Sequence, residues 1–204
     1  MNDLQLLDSY ARRALDYIGL FGSIRAVHPD DLALVSHWAR ELRGPVLDAG
    51  CGPGHWAGHL HAVGVEVSGL DLVPEFIEHA QHTFPDVPFT VGSLASTGRP
   101  DASLAGILAW YSLIHLSPGE LPAVLAEFRR LLAPGGSVLL GFFDADAVEP
   151  FDHKMATAYR WPVDSMAAQL AEAGFEEARR ETRSGDGNRP HAVIIAKLAG
   201  AGPS

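Results

Sequence analysis

The chain has 204 residues, 47% hydrophobic and 20% charged, with a formal net charge of −10. This suits one well-cored globular domain and excludes a disordered chain or two domains of ordinary size. The acidic balance makes nucleic acid and anionic membrane surfaces poor partners, and the single cysteine, Cys51, rules out an intrachain disulfide. Met1–Leu7 carries Asp3 and no basic stretch before an apolar core, so no secretory leader is expected. No apolar run approaches the length of a membrane span, and a cytoplasmic protein is expected.

Leu4, Leu7, Ala11, Ala14, Leu15 and Ile18 recur at helical spacing, and Gly19 and Gly22 close that segment. A second helix is expected from Pro29, with Asp30 and Asp31 in its first turn, to Leu42. Strands and helices then alternate. Pro45–Ala49, Val65–Leu70, Pro88–Val91, Ala105–Trp110 and Ser137–Phe143 read as strands. Gly54–Val63, Pro74–Phe84, Pro118–Leu132 and Pro162–Ala173 read as helices, the third stopping at Pro134-Gly135-Gly136. Late strands near Glu176–Thr182 and His191–Leu198 flank a turn-rich Arg183–Asn188, short enough for an antiparallel hairpin. Such alternation implies a mostly parallel sheet covered by helices on both faces. Gly200–Ser204 is expected to be a disordered tail.

The most specific signal is Val46–Gly54, an apolar strand running into Gly50-Cys51-Gly52-Pro53-Gly54. A turn of this kind at the carboxyl end of a parallel strand lets backbone approach a ligand closely. The dinucleotide fingerprint requires a third glycine three residues after the second, and that position is His55. Asp48 adds a carboxylate beside the loop, which repels a pyrophosphate and attracts an ammonium or sulfonium. Asp71 ends the next apolar run, 21 positions after Gly50, close to the spacing of an acid that binds ribose hydroxyls; a helix cap before Pro74 is its other reading.

Val46–Gly54 and Gly69–Asp71 resemble the first two motifs of the class I S-adenosylmethionine-dependent methyltransferases. The resemblance continues in order through Phe89–Leu94, Ile107–His115 and Leu131–Gly136, and points to the small bacterial type acting on small molecules. It implies a Rossmann-like, doubly wound α/β fold: a mostly parallel seven-stranded sheet with an antiparallel last strand, residues 44–199 as core, and residues 1–43 as a helical lid of the same domain. It implies S-adenosyl-L-methionine as cofactor, S-adenosyl-L-homocysteine as product, no metal, and a monomer or homodimer. Asp48, Ala49, Gly50, Cys51, Gly52 and Gly54 then form the loop at the methionine moiety. Asp71 takes the ribose, and Leu72, Ser93 and Leu94 lie at the adenine; the family often has an acid where this chain has Ser93. Trp110 and Tyr111 sit near the methyl donor, where aromatic faces favour a sulfonium.

Methyl transfer from a sulfonium needs alignment and a dry site, and a base only when the acceptor must lose a proton. His115, His153 and Tyr159 are the candidates for catalysis, with a structural role for His115 the competing reading. Phe151–Trp161 is aromatic and polar enough for an acceptor pocket, so His153, Tyr159 and Trp161, with Tyr10 and Tyr17 of the first helix, are the candidate substrate contacts. His191 reads as structural. His55/His59, His59/His61 and His79/His82 have spacings open to a metal, but a solvated helix face explains them better. Two other functions compete: a cofactor-binding protein of this fold that does not methylate, and an NAD-dependent oxidoreductase. The absence of Asn-Pro-Pro-Tyr after the fourth strand, where the chain reads Ala109-Trp110-Tyr111-Ser112, argues against amine methylation of nucleic acid or glutamine by that motif.

Overall fold

The computed structural model describes residues 18–19, 22–152, 157–185 and 188–199. Its strands are β1 (Val46–Ala49), β2 (Val67–Asp71), β3 (Phe89–Val91), β4 (Leu104–Trp110), β5 (Leu132–Phe143), β6 (Glu149–Asp152), β7 (Thr157–Arg160), β8 (Phe175–Gly185) and β9 (Asn188–Leu198). The α-helices among the described residues are α1 (Pro29–Glu41), α2 (His55–Ala62), α3 (Pro74–Thr83), α4 (Leu121–Leu131) and α5 (Val163–Glu172). Seven strands form one sheet in the order β3-β2-β1-β4-β5-β9-β8, and β6 and β7 pair separately. β9 is antiparallel to both its neighbours, while the remaining pairings in the large sheet are parallel. This is the mostly parallel seven-stranded α/β sheet expected from the sequence. Its order reverses at β1, with β2 on one side and β4 on the other, which opens a crevice beyond their carboxyl ends.

The helices follow local chemistry. Pro29 starts α1 at a position where the missing N–H costs nothing, Asp30 and Asp31 face the positive end of the helix dipole, and His28 Nδ1 accepts the Asp30 N–H at 3.3 Å. In α4, Leu121, Val124, Leu125, Phe128 and Leu131 form one buried stripe at helical spacing. Each such side chain contributes about 1.5–3 kcal/mol by leaving water. One core cluster joins this stripe to Trp161 and Phe175; the other joins Leu34, Val35 and Trp38 of α1 to Trp56, Val46 and Leu139. Residues 29–41 thus pack into the core.

Three expectations change. The helix expected over Pro118–Leu132 begins at Leu121, after Ser117 and Glu120 close a turn through Ser117 N–H and Oγ bonds to Glu120 Oε2 at 2.8 and 2.6 Å. Pro134-Gly135-Gly136 does not separate helix from strand but lies inside β5 as a bulge: Leu132 pairs with Leu104 and Ser137 with Gly106, so β5 spends three more residues than β4 over the same step. Gly135, at φ +80, makes that detour possible. Phe151–Trp161 overlaps the antiparallel β6–β7 pair, which begins at Glu149 and whose Pro150 sits where a missing N–H is tolerated on a two-stranded edge. The first helix, apart from Ile18, and the tail 200–204 lie outside the described residues, as do Tyr10, Tyr17 and His153.

Candidate functional site

The loop after β1 is shaped by Gly50, Gly52 and Gly54, at φ +76, +52 and +84. At Gly50 a side chain is excluded twice: by the left-handed backbone and because a Cβ would lie 2.3 Å from Ser112 Cβ. The loops after β1 and β4 therefore touch across the crevice. Asp71, at the end of β2, ties the first of these to its own strand. Its Oδ2 accepts the Gly52 N–H at 2.7 Å and its Oδ1 the Val73 N–H at 2.9 Å, just before α3. Burial pushes the Asp71 carboxyl up, against the pull of these N–H donors. The ribose and cap readings are thus compatible: the acid organises two loops and still lines the crevice.

A cavity of about 640 Å³ occupies the crevice. Among the residues expected at the cofactor, Gly50, Gly52, Asp71, Leu72, Ser93, Leu94, Trp110 and Tyr111 line it, and so does His115. Asp48, Ala49, Cys51 and Gly54 do not line it. Asp48 is buried behind the loop, where its Oδ2 accepts the Ala57 N–H at 3.1 Å in the first turn of α2. The carboxylate caps a helix whose own N-cap, Gly54, has no side chain to do so. Burial, with the Asp71 charge nearby, pushes the Asp48 pKa up to about 7. Gly54 instead faces Ala80 and Phe89, leaving no room for a Cβ. The Cys51 thiol is raised well above its usual range by burial and by Asp48 and Asp71, which makes it a poor nucleophile.

Sequence reasoning missed several cavity residues, Phe76, Ser112 and Glu120 among them. The Ser112 hydroxyl is buried without a hydrogen-bond partner and lies across from Gly50. A buried orphan hydroxyl on a cavity wall is a vacant hydrogen-bonding position for a polar ligand. With the Asp71 carboxylate and the apolar Leu72, Phe76 and Leu94, the lining suits a group with hydroxyls, a flat apolar ring and a polar end. S-adenosylmethionine has that composition. The signal for Ser112 was its place directly after Tyr111, on the loop facing the glycines.

The β4 end carries the strained part of the site. Tyr111 has φ +54, unusual for an aromatic residue, and its N–H bonds to Gly141 O at 2.8 Å. Trp110 packs edge-on against Trp56 and Tyr111, with ring centroids 5.3 and 5.6 Å apart. The Tyr111 hydroxyl hydrogen-bonds His191 Nδ1. His191 is thus more than packing: its Nε2 lies 3.6 Å from Asp31 Oδ1. Phe143 and Phe151 continue the aromatic wall, with centroids 4.7 Å from Tyr111 to Phe143 and 5.5 Å from Phe143 to Phe151. The guanidinium groups of Arg160 and Arg189 lie 4.5 and 4.7 Å from the Phe151 ring.

His115 reaches the cavity while its Nδ1 donates to the Thr157 carbonyl at 3.0 Å, which ties it to β7. Burial lowers its pKa, so it is neutral at neutral pH. Tyr159 and Trp161 do not line the cavity. Trp161 is a core side chain: it is buried, and its N–H bonds to Phe143 O at 3.0 Å. Tyr159 is partly buried against the same core. His59 bonds Ser36 Oγ at 2.8 Å and His79 lies 3.3 Å from Thr83 Oγ1, and among the described residues no cluster of three or more His, Cys, Asp or Glu could hold a metal. Among those residues, too, no helix is long and apolar enough to cross a membrane.

An open, mostly parallel sheet with a glycine cradle and an acid at its switch point defines an α/β protein of the nucleoside-cofactor-binding class. Residues 46–136 match the family described as a methyltransferase domain. Malonyl-acyl-carrier-protein O-methyltransferase of Erwinia billingiae is 34% identical over 131 residues, covering 64% of this chain and 49% of that protein. The chain spans about half the length of that relative and less of two others of the same name, 40% and 34%. Among solved structures, magnesium protoporphyrin IX methyltransferase of Synechocystis with bound S-adenosylhomocysteine superposes with a TM-score of 0.79 at 20% identity, covering 97% of this chain and all of the other. A 4+2 cyclase superposes at 0.81 with 17% identity, covering 98% of each chain. At these identities the structural likeness concerns the fold.

Proposed function

We propose that this chain transfers a methyl group from S-adenosylmethionine to a small-molecule acceptor. The observation that carries this reading is the cavity where the Asp71 carboxylate, the glycine cradle and the unpartnered Ser112 hydroxyl converge. When bound, S-adenosylmethionine supplies a methyl group already activated on a sulfonium sulfur. Asp71 accepts hydrogen bonds from the ribose hydroxyls. Leu72, Phe76 and Leu94 enclose the adenine, and Ser93 offers it a hydrogen-bonding hydroxyl. Gly50, Gly52 and Ser112 hold the methionine end. Trp110 and Tyr111 face the sulfonium, excluding water and stabilising the positive charge. Asp48, Cys51 and Gly54 act indirectly, by fixing the loop and the start of α2. Tyr10, Tyr17, His153 and Tyr159 remain candidate acceptor contacts, and His115 a candidate base. The helical lid expected over residues 1–43 belongs to this reading. The acidic, single-cysteine composition supports a cytoplasmic location, and the chain acts in this reading as a monomer or homodimer.

Titration calorimetry with S-adenosylhomocysteine tests the reading. Binding on the order of micromolar is expected, and Asp71→Ala should weaken it at least about 10-fold, because both the ribose contact and the loop anchor go. No heat with either S-adenosyl compound would reject it. The competing expectation is a protein of this fold that binds the cofactor without methylating, since a fold does not fix a reaction. Transfer of a labelled methyl group to any acceptor in a metabolite panel decides between them.

A further inference from the structure

Beside the cavity lies a chain of polar groups, of which cofactor binding uses only the Tyr111 ring. Tyr111, on the cavity wall, hydrogen-bonds His191 Nδ1 from β9. His191 is buried, and its Nε2 has no hydrogen-bond partner but lies 3.6 Å from Asp31 Oδ1 in the first turn of α1. Asp31 is in turn gripped by Arg183 of β8, with Nη1 to Oδ1 at 3.0 Å and Nη2 to Oδ2 at 2.7 Å. The groups facing this chain are few. His28 Nδ1 lies 3.2 Å from Arg183 Nη1, and Asp30 adds its charge at the exposed rim. Trp110 covers the imidazole, with ring centroids 5.5 Å apart.

Charge complementarity assigns the protons. An ionised Asp31 accepts only, so the His191 nitrogen turned toward it, Nε2, carries the hydrogen. Nδ1 is then left with a lone pair, and Tyr111 must donate to it. Burial by itself would raise Asp31, but the Arg183 bonds and the nearby His191 imidazole outweigh it and hold the carboxyl at about 2. Burial and the Asp31 charge push the Tyr111 hydroxyl up, so the phenol keeps its proton at neutral pH and passes one on rather than storing it. An Asp31–Arg183 pair alone would tie α1 to β8. The imidazole between carboxylate and phenol adds a group that can change charge, aimed at the cavity.

We propose that Tyr111 and His191 take the proton of the methyl acceptor, with Asp31 positioning His191 and stabilising its protonated form. The inference rests on the methyl-transfer reading and names the acceptor class: a phenol, enol or thiol, whose attacking atom must lose a proton, rather than a carboxylate, which is already ionised. In the step, the X–H bond breaks and its proton goes to Tyr111 Oη, as the tyrosine's own proton passes to His191 Nδ1. The electron pair left on X forms the bond to the methyl carbon, and the pair of the carbon–sulfur bond goes to sulfur. The imidazolium beside Asp31 later returns the proton to water.

The test uses the full chain saturated with S-adenosylhomocysteine. Long-range imidazole nitrogen NMR of the neutral ring should show His191 with Nε2 protonated and Nδ1 bare. A His191 with Nδ1 protonated has no lone pair for the relay and overturns the proposal. In a labelled-methyl assay on a panel of phenols, aryl thiols and carboxylic acids, Tyr111→Phe and His191→Asn should each lose about 100-fold or more in kcat on the first two classes. Asn keeps an acceptor for the Tyr111 hydroxyl but cannot take the proton, so its rate should also lose the wild-type rise with pH. S-adenosylhomocysteine affinity of His191→Asn should stay within threefold of wild type, and thermal melts confirm that both variants fold. Wild-type rates on phenols and thiols unchanged by both substitutions, or transfer to carboxylic acids alone, also reject the relay. Where no acceptor in the panel reacts, the NMR tautomer decides. Failure of the wild-type chain to bind S-adenosylhomocysteine indicts the methyl-transfer reading instead.

Discussion

The two sides of the cavity are built differently. On the β1–β2 side the polar ligand-facing groups are backbone and a single acid, and the parts lie close in sequence: Gly52 and Asp71 are joined by one 2.7 Å bond. On the β4–β9 side the groups are side chains from four elements, and Asp31 and Arg183 meet across 152 residues of chain. Backbone cradles suit a ligand that stays the same, because their shape depends on turns that few side chains disturb. Side-chain walls suit what varies, since each position can change without breaking a turn. The cofactor side should therefore be intolerant of small local changes. The acceptor side should separate cleanly into residues that hold the fold and residues that meet the ligand.

Trp161 offers the largest expected effect and the sharpest test of that separation. It lies in the aromatic segment that reads as an acceptor pocket, yet its ring is sealed in the core with Phe175 and Leu170. Trp161→Ala should cost about 3–5 kcal/mol in denaturant unfolding, as for other buried aromatics cut to alanine. S-adenosylhomocysteine affinity of the folded fraction should be unchanged; a large loss would mean that the segment reaches the cofactor after all. Gly50→Ala tests the other side. A Cβ there meets Ser112 at 2.3 Å on a left-handed backbone, so about 2–3 kcal/mol of stability should be lost, from strain and overpacking together. Here calorimetry should show binding abolished, because the displaced loop is itself the cofactor wall. Equal behaviour of the two variants would erase the distinction between the sides.

The same contrast governs what could be read before the structure. The β1 loop, Asp71 and the Trp110–Tyr111 pair were legible because strand, turn and acid are contiguous and each demands particular residue types. The β6–β7 hairpin was not: four-residue strands interrupted by Pro150 show no alternation to read. The β5 bulge was hidden because Pro134-Gly135-Gly136 is an ordinary end signal, and only pairing with Leu104 and Gly106 shows the strand on both sides of it. Asp48 looked like part of the ligand site from its place beside the glycines, but an alternation of one residue turns it behind the loop toward α2. His191 read as structural because nothing local marks it. Its partners arrive through the sheet order, which sets β9 beside β5 and so brings its first residues to the end of β4.

Two buried aspartates give the finest test, with opposite signs. Asp48 belongs to the cofactor side and its folded pKa is raised to about 7 from 3.8. The folded state then binds the proton more tightly than the unfolded chain, so this carboxyl lowers stability as pH rises from 3.8 to about 7, and its unfavourable contribution is complete above that. Asp48→Asn keeps an oxygen for the Ala57 N–H and removes the buried charge. At pH 8 it should raise the unfolding free energy by on the order of 1–3 kcal/mol, with the gain fading toward pH 4. Asp31 belongs to the other side and its folded pKa is held at about 2. Its stabilisation is present above 3.8 and is lost as pH falls through 2, so Asp31→Asn should destabilise at pH 7 by a smaller amount, since Arg183 is partly exposed to solvent and screens the pair. From pH 4 to 8, thermal melts should therefore set Asp31→Asn below wild type by a nearly constant offset and carry Asp48→Asn progressively above it. An Asp48→Asn curve parallel to wild type would mean that Asp48 is hydrated and charged in the folded chain, and that it reaches the cavity as its position beside the glycines first suggested.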